Sequence, residues 1–218
     1  MHTAEHRYWQ LRLDRCRETL AKNNFEPYVV ANPAQARELI LERLLPAINP
    51  RVVSWGDSMT LAETGVLDTI RAMPAIRLIE TFASGVPRAE ILERRRQALL
   101  ADLFFTGTNA ITEKGQLVNL DMVGNRVAGL TYGPHHVILT VGRNKLVPDL
   151  AAAMERIRTY AAPLNVLRHP GFRTPCALTA HCQDCASPDR LCNTWTITEK
   201  SFPSGRVRVI LINQDLGL

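Results

Sequence analysis

Short apolar runs rich in valine, isoleucine and phenylalanine alternate with helix-length amphipathic stretches along most of this chain. That alternation leaves few folds open. Strand-like runs occur at Tyr28–Ala31, Arg51–Trp55, Arg77–Thr81, Asp102–Thr106, His136–Val141 and Arg206–Ile212. Ahead of them, Trp9, Leu13, Cys16 and Leu20 recur at helical spacing and mark one apolar face, so Cys16 reads as a small core residue. Asn32-Pro33 reads as an N-cap and first helical residue of a helix running through Leu44. Thr60-Leu-Ala-Glu63 has the form of a capping box opening the next helix. Further helices are expected at Pro87–Leu100 and Pro148–Ala161. Strands separated by helices of this length require right-handed crossovers and a mainly parallel sheet covered on both faces. The expectation is one α/β domain over residues 1–218.

Two segments depart from the rhythm. Between Thr106 and His135 the runs Gln116–Leu120 and Arg126–Tyr132 are strand-like and punctuated by glycine and asparagine, which predicts an antiparallel excursion. From Pro163 to Trp195 the chain should be irregular, a cysteine-rich insertion over 163–195 within the domain. A loop of that length without a core needs something else to hold it.

Four of the five cysteines supply a candidate: Cys176, Cys182, Cys185 and Cys192, spaced C-x5-C-x2-C-x6-C. The N-terminal stretch is charged and lacks a secretory apolar core, and no run of eighteen apolar residues occurs, so a cytoplasmic protein without a membrane span is expected. Reduced thiols are the rule in that compartment, which disfavours disulfides. The polar neighbours His181, Gln183, Asp184, Asp189 and Arg190 disfavour four idle core thiols. Metal ligation is left, and four thiolates suit either a tetrahedral zinc or an iron–sulfur cluster. The net charge of +5 is spread along the chain, and the run Arg94-Arg95-Arg96 reads as a solvated helix face, so no nucleic-acid partner is expected.

Ligands of open parallel sheets bind beyond the carboxyl ends of the strands. The segments following the proposed strands are small and polar, and they bring forward Asp57, Ser58, Thr106, Thr108, Asn109 and Asn125. Arg126, Arg143 and Lys145 add positive charge, so a pocket for a small anion such as a carboxylate or phosphate is expected. Glu113, in the turn T-E-K-G, is a candidate nucleophile or base, with an exposed hairpin glutamate as the alternative. His135 and His136 read as turn or surface residues. The G-x-G-x-x-G, Walker, H-E-x-x-H and G-x-S-x-G motifs are all absent.

The segments WGDSMTL, TGTNAITEKGQLVNLDMVGNRVAGLTYGPHHVILTVGRNK and CNTWTITEKSF resemble the lactate-utilisation (LUD) domain family, which includes LutC-like proteins. The resemblance implies a fold of the NagB/RpiA/CoA-transferase-like type. It also implies a role near the oxidation of lactate or a similar 2-hydroxy acid, beside iron–sulfur partner proteins. The redox context tilts the four-cysteine site towards an iron–sulfur cluster over zinc. Three functions stay open: a subunit or accessory factor in organic-acid oxidation, a stand-alone acyl- or CoA-transferase-like enzyme using Glu113, and a zinc-stabilised regulatory protein.

Overall fold

A computed structural model describes residues 2–218. Helix α1 (His2–Lys22) leads into β1 (Glu26–Val30). A continuous helical run follows: α2 (Pro33–Glu38), a π-helical stretch at Leu39–Leu44 and α3 (Leu45–Ile48). Strand β2 (Val52–Trp55) precedes the short helices α4 (Met59–Thr64) and α5 (Val66–Arg71). Then come β3 (Arg77–Ile79), α6 (Arg88–Gln97), β4 (Leu103–Thr106), β5 (Ala110–Thr112) and β6 (Leu117–Asp121). Helix α7 (Asn125–Thr131) is followed by β7 (His136–Gly142) and the two-residue β8 (Leu146–Val147). Helix α8 (Leu150–Arg156) runs through a second π-helical stretch, Ile157–Ala161, into α9 (Ala162–Leu167). The short α10 (Pro175–Thr179), β9 (Thr194–Thr198) and β10 (Val207–Ile212) complete the chain. No helix among the described residues is long and apolar enough to cross a membrane.

Six strands form one parallel sheet in the order β1-β10-β7-β4-β2-β3. Along β10 consecutive residues feed opposite cores. Val209 and Leu211 join Val137, Leu139 and Phe104 beneath Leu13, Cys16 and Leu20 of α1. Ile210 and Ile212 join Val53, Phe105 and Ile138 beneath Ile40, Leu61 and Ile70. That period of two, apolar on both sides, is the pattern of a strand covered on both faces. The fold is therefore the α/β arrangement expected, with helices on both faces of a mainly parallel sheet.

A second sheet, β8-β5-β6-β9, is mixed: β5–β6 and β6–β9 are antiparallel and β5–β8 is parallel. Its own core joins Ala110, Val118 and Leu120 to Ala153 and Ile157. The antiparallel excursion is thus real at Gln116–Leu120, but Arg126–Tyr132 is a helix. Val127 and Leu130, three residues apart, are both buried on its inner face, and helical spacing wins over the β-branched look of the run. Asn32 caps α2 as expected, accepting from Gln35 N at 2.9 Å. The cap of α4 is Ser58, which accepts from Leu61 N at 3.2 Å, while Thr60 turns inward and donates to Leu216 O. The stretch expected to be irregular contains the end of α9, all of α10 and the start of β9.

Helix α7 is held from two sides. The buried guanidinium of Arg206 donates to the carbonyls of Gly129, Leu130 and Pro134 at 2.7–3.0 Å, satisfying acceptors at the helix C-terminus. On the other side Gly129 lies against the ring of Phe104, where a Cβ would come within 2.8 Å of Cε1. Glycine to alanine inside a helix ordinarily gains about 1 kcal/mol. Here the sign should reverse: Gly129→Ala is expected to lower stability by about 1–3 kcal/mol in urea unfolding, because the buried ring has to move. A gain in stability would mean that Phe104 yields freely and that the close approach is not a constraint.

Candidate functional site

Strand β2 connects outward to β3, and β3 returns past β2 to β4. With right-handed crossovers the chain leaves β2 and β4 towards opposite faces, and a crevice opens between their carboxyl ends. The two exits are Gly56-Asp57-Ser58 and Gly107-Thr108-Asn109. They touch: a Cβ on Gly107 would lie 2.7 Å from Ser58 Oγ, so only glycine permits this approach. Above them is a cleft of about 600 Å³.

Seven of the residues expected at the site line this cleft: Asp57, Ser58, Thr108, Asn109, Asn125, Arg126 and Lys145. Thr106 lies at the end of β4, fully buried, with its hydroxyl turned to Gly107 O. The remaining walls come from α6 (Arg88, Ile91, Leu92, Arg95), from Asn165 and Arg168 around the end of α9, and from Leu191 and Cys192 of the cysteine segment.

The cations of the cleft are not equivalent. Arg126 is buried and fully engaged. Its Nε donates to Asp121, Nη1 to Gly107 O and Asn119 Oδ1, and Nη2 to Asn109 Oδ1 and Leu120 O, all at 2.6–3.2 Å. It shapes the cleft and has no donor left for a ligand. Arg168 faces Asp57 at 3.4 Å. Arg88 and Arg95, by contrast, have no carboxylate within ion-pair distance among the described residues. Arg95 lies over the ring of Phe82, 4.8 Å from its centroid, and its buried Nε has no hydrogen-bond partner. Burial pulls its pKa down despite the longer-range pull of Asp121 and Asp57. Lys145 is only 5% exposed, and its Nζ meets Thr60 Oγ1 at 3.1 Å. Burial, followed by the charges of Arg156 and Arg126, lowers its pKa from 10.5 to about 7, against an opposing pull from Glu63.

Besides Thr106, two expected residues are not brought to the cleft. Arg143 forms ion pairs with Glu5 and Asp215, each at 2.9 Å, and its guanidinium lies over Trp9. Glu113 accepts from Arg12 of α1 at 2.7 and 3.0 Å, and its side chain is 49% exposed. Its loop follows β5 in the second sheet and pairs with α1, whereas the cleft opens off β4 one strand earlier. In turn, sequence reading passed over Arg88 and Arg95. Arg94 and Arg96 do sit on the outer side, paired with Glu90 and Glu93. Arg95 instead continues the stripe Arg88, Ile91, Leu92, whose i, i+3, i+4, i+7 spacing marks the inner face of α6.

The four segment cysteines are free thiols of intermediate burial. Arg190 grips their loop, donating to Cys192 O, Cys185 O and Asp184 Oδ1, and Thr174 Oγ1 lies 3.2 Å from Cys176 Sγ. Burial first, then the charges of Cys182, Cys176 and Cys185, raise the pKa of the Cys192 thiol to about 11 against an opposing pull from Arg190. No group of three or more His, Cys, Asp or Glu side chains among the described residues stands in metal-holding geometry. Four cysteines are the donor type a thiolate-bound metal takes, and ligation would need the loop to draw inward and the thiols to lose their protons.

Comparison with the curated proteins finds no match. Among solved structures the fold resembles a DUF162 family protein from Deinococcus radiodurans, with a TM-score of 0.50 and 14% identity over 94% of this chain and 98% of that one. At that identity the likeness speaks for the fold. The LUD domain model matches residues 13–212, nearly the whole chain, and so the chain belongs to the LUD domain family.

Proposed function

We propose that this protein is a LutC-like component in the oxidation or utilisation of lactate or a similar 2-hydroxy acid. It would hold the acid in the cleft between β2 and β4 and carry a metal centre on its cysteine segment. The observation that carries the reading is the surplus of cations in the cleft. Asp121 and Asp57 are taken up by Arg126 and Arg168, leaving Arg88 and Arg95 without a carboxylate. A guanidinium whose Nε is buried and unpartnered is incomplete until an anion arrives, and a planar carboxylate matches its fork. The mixed lining suits a short acid, with Ile91, Leu92 and Phe82 for its carbon skeleton and Ser58, Thr108 and Asn109 for its hydroxyl.

The second support is the position of Cys192, which lines the same cleft. Cys176, Cys182, Cys185 and Cys192 would hold the metal, and an iron–sulfur cluster there would supply one-electron chemistry next to the bound acid. The chain's own contribution is to bind and orient: Arg95 and Arg88 fix the carboxylate, while Ser58 and Asn109 offer hydrogen bonds to the 2-hydroxyl. The transferase reading is left without support from the geometry, since Glu113 is paired with Arg12 outside the cleft.

Two experiments test these halves separately. Arg95→Gln should weaken binding of L-lactate and pyruvate by about 10- to 100-fold in calorimetry, the loss of a charge-assisted hydrogen bond of about 1.5–3 kcal/mol. Arg143→Gln, remote from the cleft, should leave affinity unchanged. Equal affinity in wild type and Arg95→Gln would count against the carboxylate site.

Metal and acid-labile sulfide in anaerobically purified protein should show iron bound to the segment. Serine at any one of positions 176, 182, 185 or 192 should release it, while Cys16→Ser should not. Protein with four free thiols and neither iron nor zinc would overturn the metal centre. Stoichiometric zinc without sulfide would keep the site and remove its redox role.

A further inference from the structure

Lys145 is chemically unlike every other lysine of the chain. Lysines occur at positions 22, 114, 145 and 200, and only Lys145 is buried; the other three are exposed. It lies in the 3₁₀ turn Arg143–Lys145 between β7 and β8, and its side chain reaches the wall of the cleft. An ammonium group has three donors and needs three acceptors. Among the described residues only one is within hydrogen-bond distance, Thr60 Oγ1 at 3.1 Å. Among the described residues no carboxylate pairs with it, and Glu63, the acid that pulls on it, is itself held by Gly217 N at 3.0 Å. The charges of Arg156 and Arg126 also act against a charge on it. A buried ammonium in such a place would leave two donors unsatisfied beside two like charges, whereas a neutral amine loses little. The lowered pKa agrees with the geometry.

We propose that Lys145 is a covalent carbonyl-binding residue, whose neutral Nζ condenses with the ketone of a 2-oxo acid held in the cleft to form an imine. The proposal rests on the carboxylate-binding reading above, because a 2-oxo acid is what oxidation of a 2-hydroxy acid yields. In the first step the nitrogen lone pair adds to the ketone carbon, and the displaced carbonyl electron pair takes up a proton on oxygen. That proton is one of the two amine hydrogens; in the second step the hydroxyl leaves as water with the remaining amine hydrogen, and a C=N bond replaces the C–O bond. No electrons are gained or lost, so no oxidant is involved. Thr60 accepts from the amine and orients its lone pair. Arg156 and Arg126 discourage protonation of Nζ and favour anionic carbonyl compounds over neutral ones. Three features of one cleft thus converge: a neutral nucleophile, cations without partners and room for a short acid.

The test uses the intact protein at neutral pH with pyruvate and cyanoborohydride, which reduces imines to stable amines. The expected result is a mass gain of one reductively coupled pyruvate, mapped by peptide analysis to Lys145. Each unit of pKa depression multiplies the free-amine fraction by roughly ten, so labelling of Lys145 should exceed that of Lys22, Lys114 and Lys200 by at least about tenfold. Lys145→Met should abolish the adduct. L-lactate, which has no ketone, should compete with the labelling and form no adduct itself. Labelling spread evenly over the four lysines, or absent while L-lactate and pyruvate still bind by calorimetry, overturns the imine and leaves the carboxylate site standing. Absence of binding by both acids overturns the imine and the carboxylate site together.

Discussion

The buried guanidinium of Arg126 is the joint on which the cleft depends. It sits at the start of α7 and reaches the exit of β4 through Gly107 O and Asn109 Oδ1. It also reaches the second sheet through Asn119, Leu120 and Asp121. A parallel sheet and a mixed sheet share no backbone ladder here, so their relative placement beside the cleft is fixed by side chains. The two asparagines close the network: Asn109 accepts from Leu120 N, and Asn109 N donates to Asn119 Oδ1. Removing one member of such a buried set typically costs about 3–5 kcal/mol, because the groups left behind have nowhere else to bond. Arginine suits this role because its five donors project in a rigid plane, which an ammonium cannot reproduce.

Much of this architecture was legible in the sequence, for a physical reason. Strands of the six-stranded sheet are buried on both faces, so they appear as short uninterrupted apolar runs, and the helices between them carry a clear inner stripe. Local signals failed where tertiary contacts decide. The run Arg126–Tyr132 has the residues of a strand, yet its glycine lets α7 press onto Phe104, and Val127 and Leu130 fall on one helical face. The π-helical stretches at Leu39–Leu44 and Ile157–Ala161 each end two residues before a proline inside the continuing helix, Pro46 and Pro163, which has no N–H to donate and crowds the preceding turn.

The site was legible in part for the same reason. Residues directly after β2 and β4 could be placed, because the ends of parallel strands share one edge. Glu113 and Arg143 also directly follow strands, β5 and β7, but each is captured by a partner distant in sequence, Arg12 and Glu5 respectively. Arg95 was hidden between two arginines that are paired with Glu90 and Glu93 of the same helix. Composition described the triplet correctly on average and missed its middle member, which the helical spacing of Arg88, Ile91 and Leu92 would have singled out.

The cysteine segment poses a different physical problem. From residue 168 to residue 193 only Thr174 and Leu191 are buried, so the stretch brings almost no core of its own. Fixing each residue costs about 1–2 kcal/mol of backbone entropy, which two buried side chains cannot offset. What holds it is a small set of polar grips: Arg190 on the carbonyls of Cys185 and Cys192, Asp189 on Arg173 N, and Ser187 on Arg173 O. Its ends are firmer. α9 continues the helix that packs on the second sheet, and β9 pairs along β6 from Asp121 to Leu117. A thiolate-bound metal in the middle would add covalent-strength constraints where the core supplies none. It would also couple the segment to the cleft, because Leu191 and Cys192 belong to both. Under the proposed function, ordering of the loop and completion of the cleft wall would then be one event, because the segment contributes two of the lining residues.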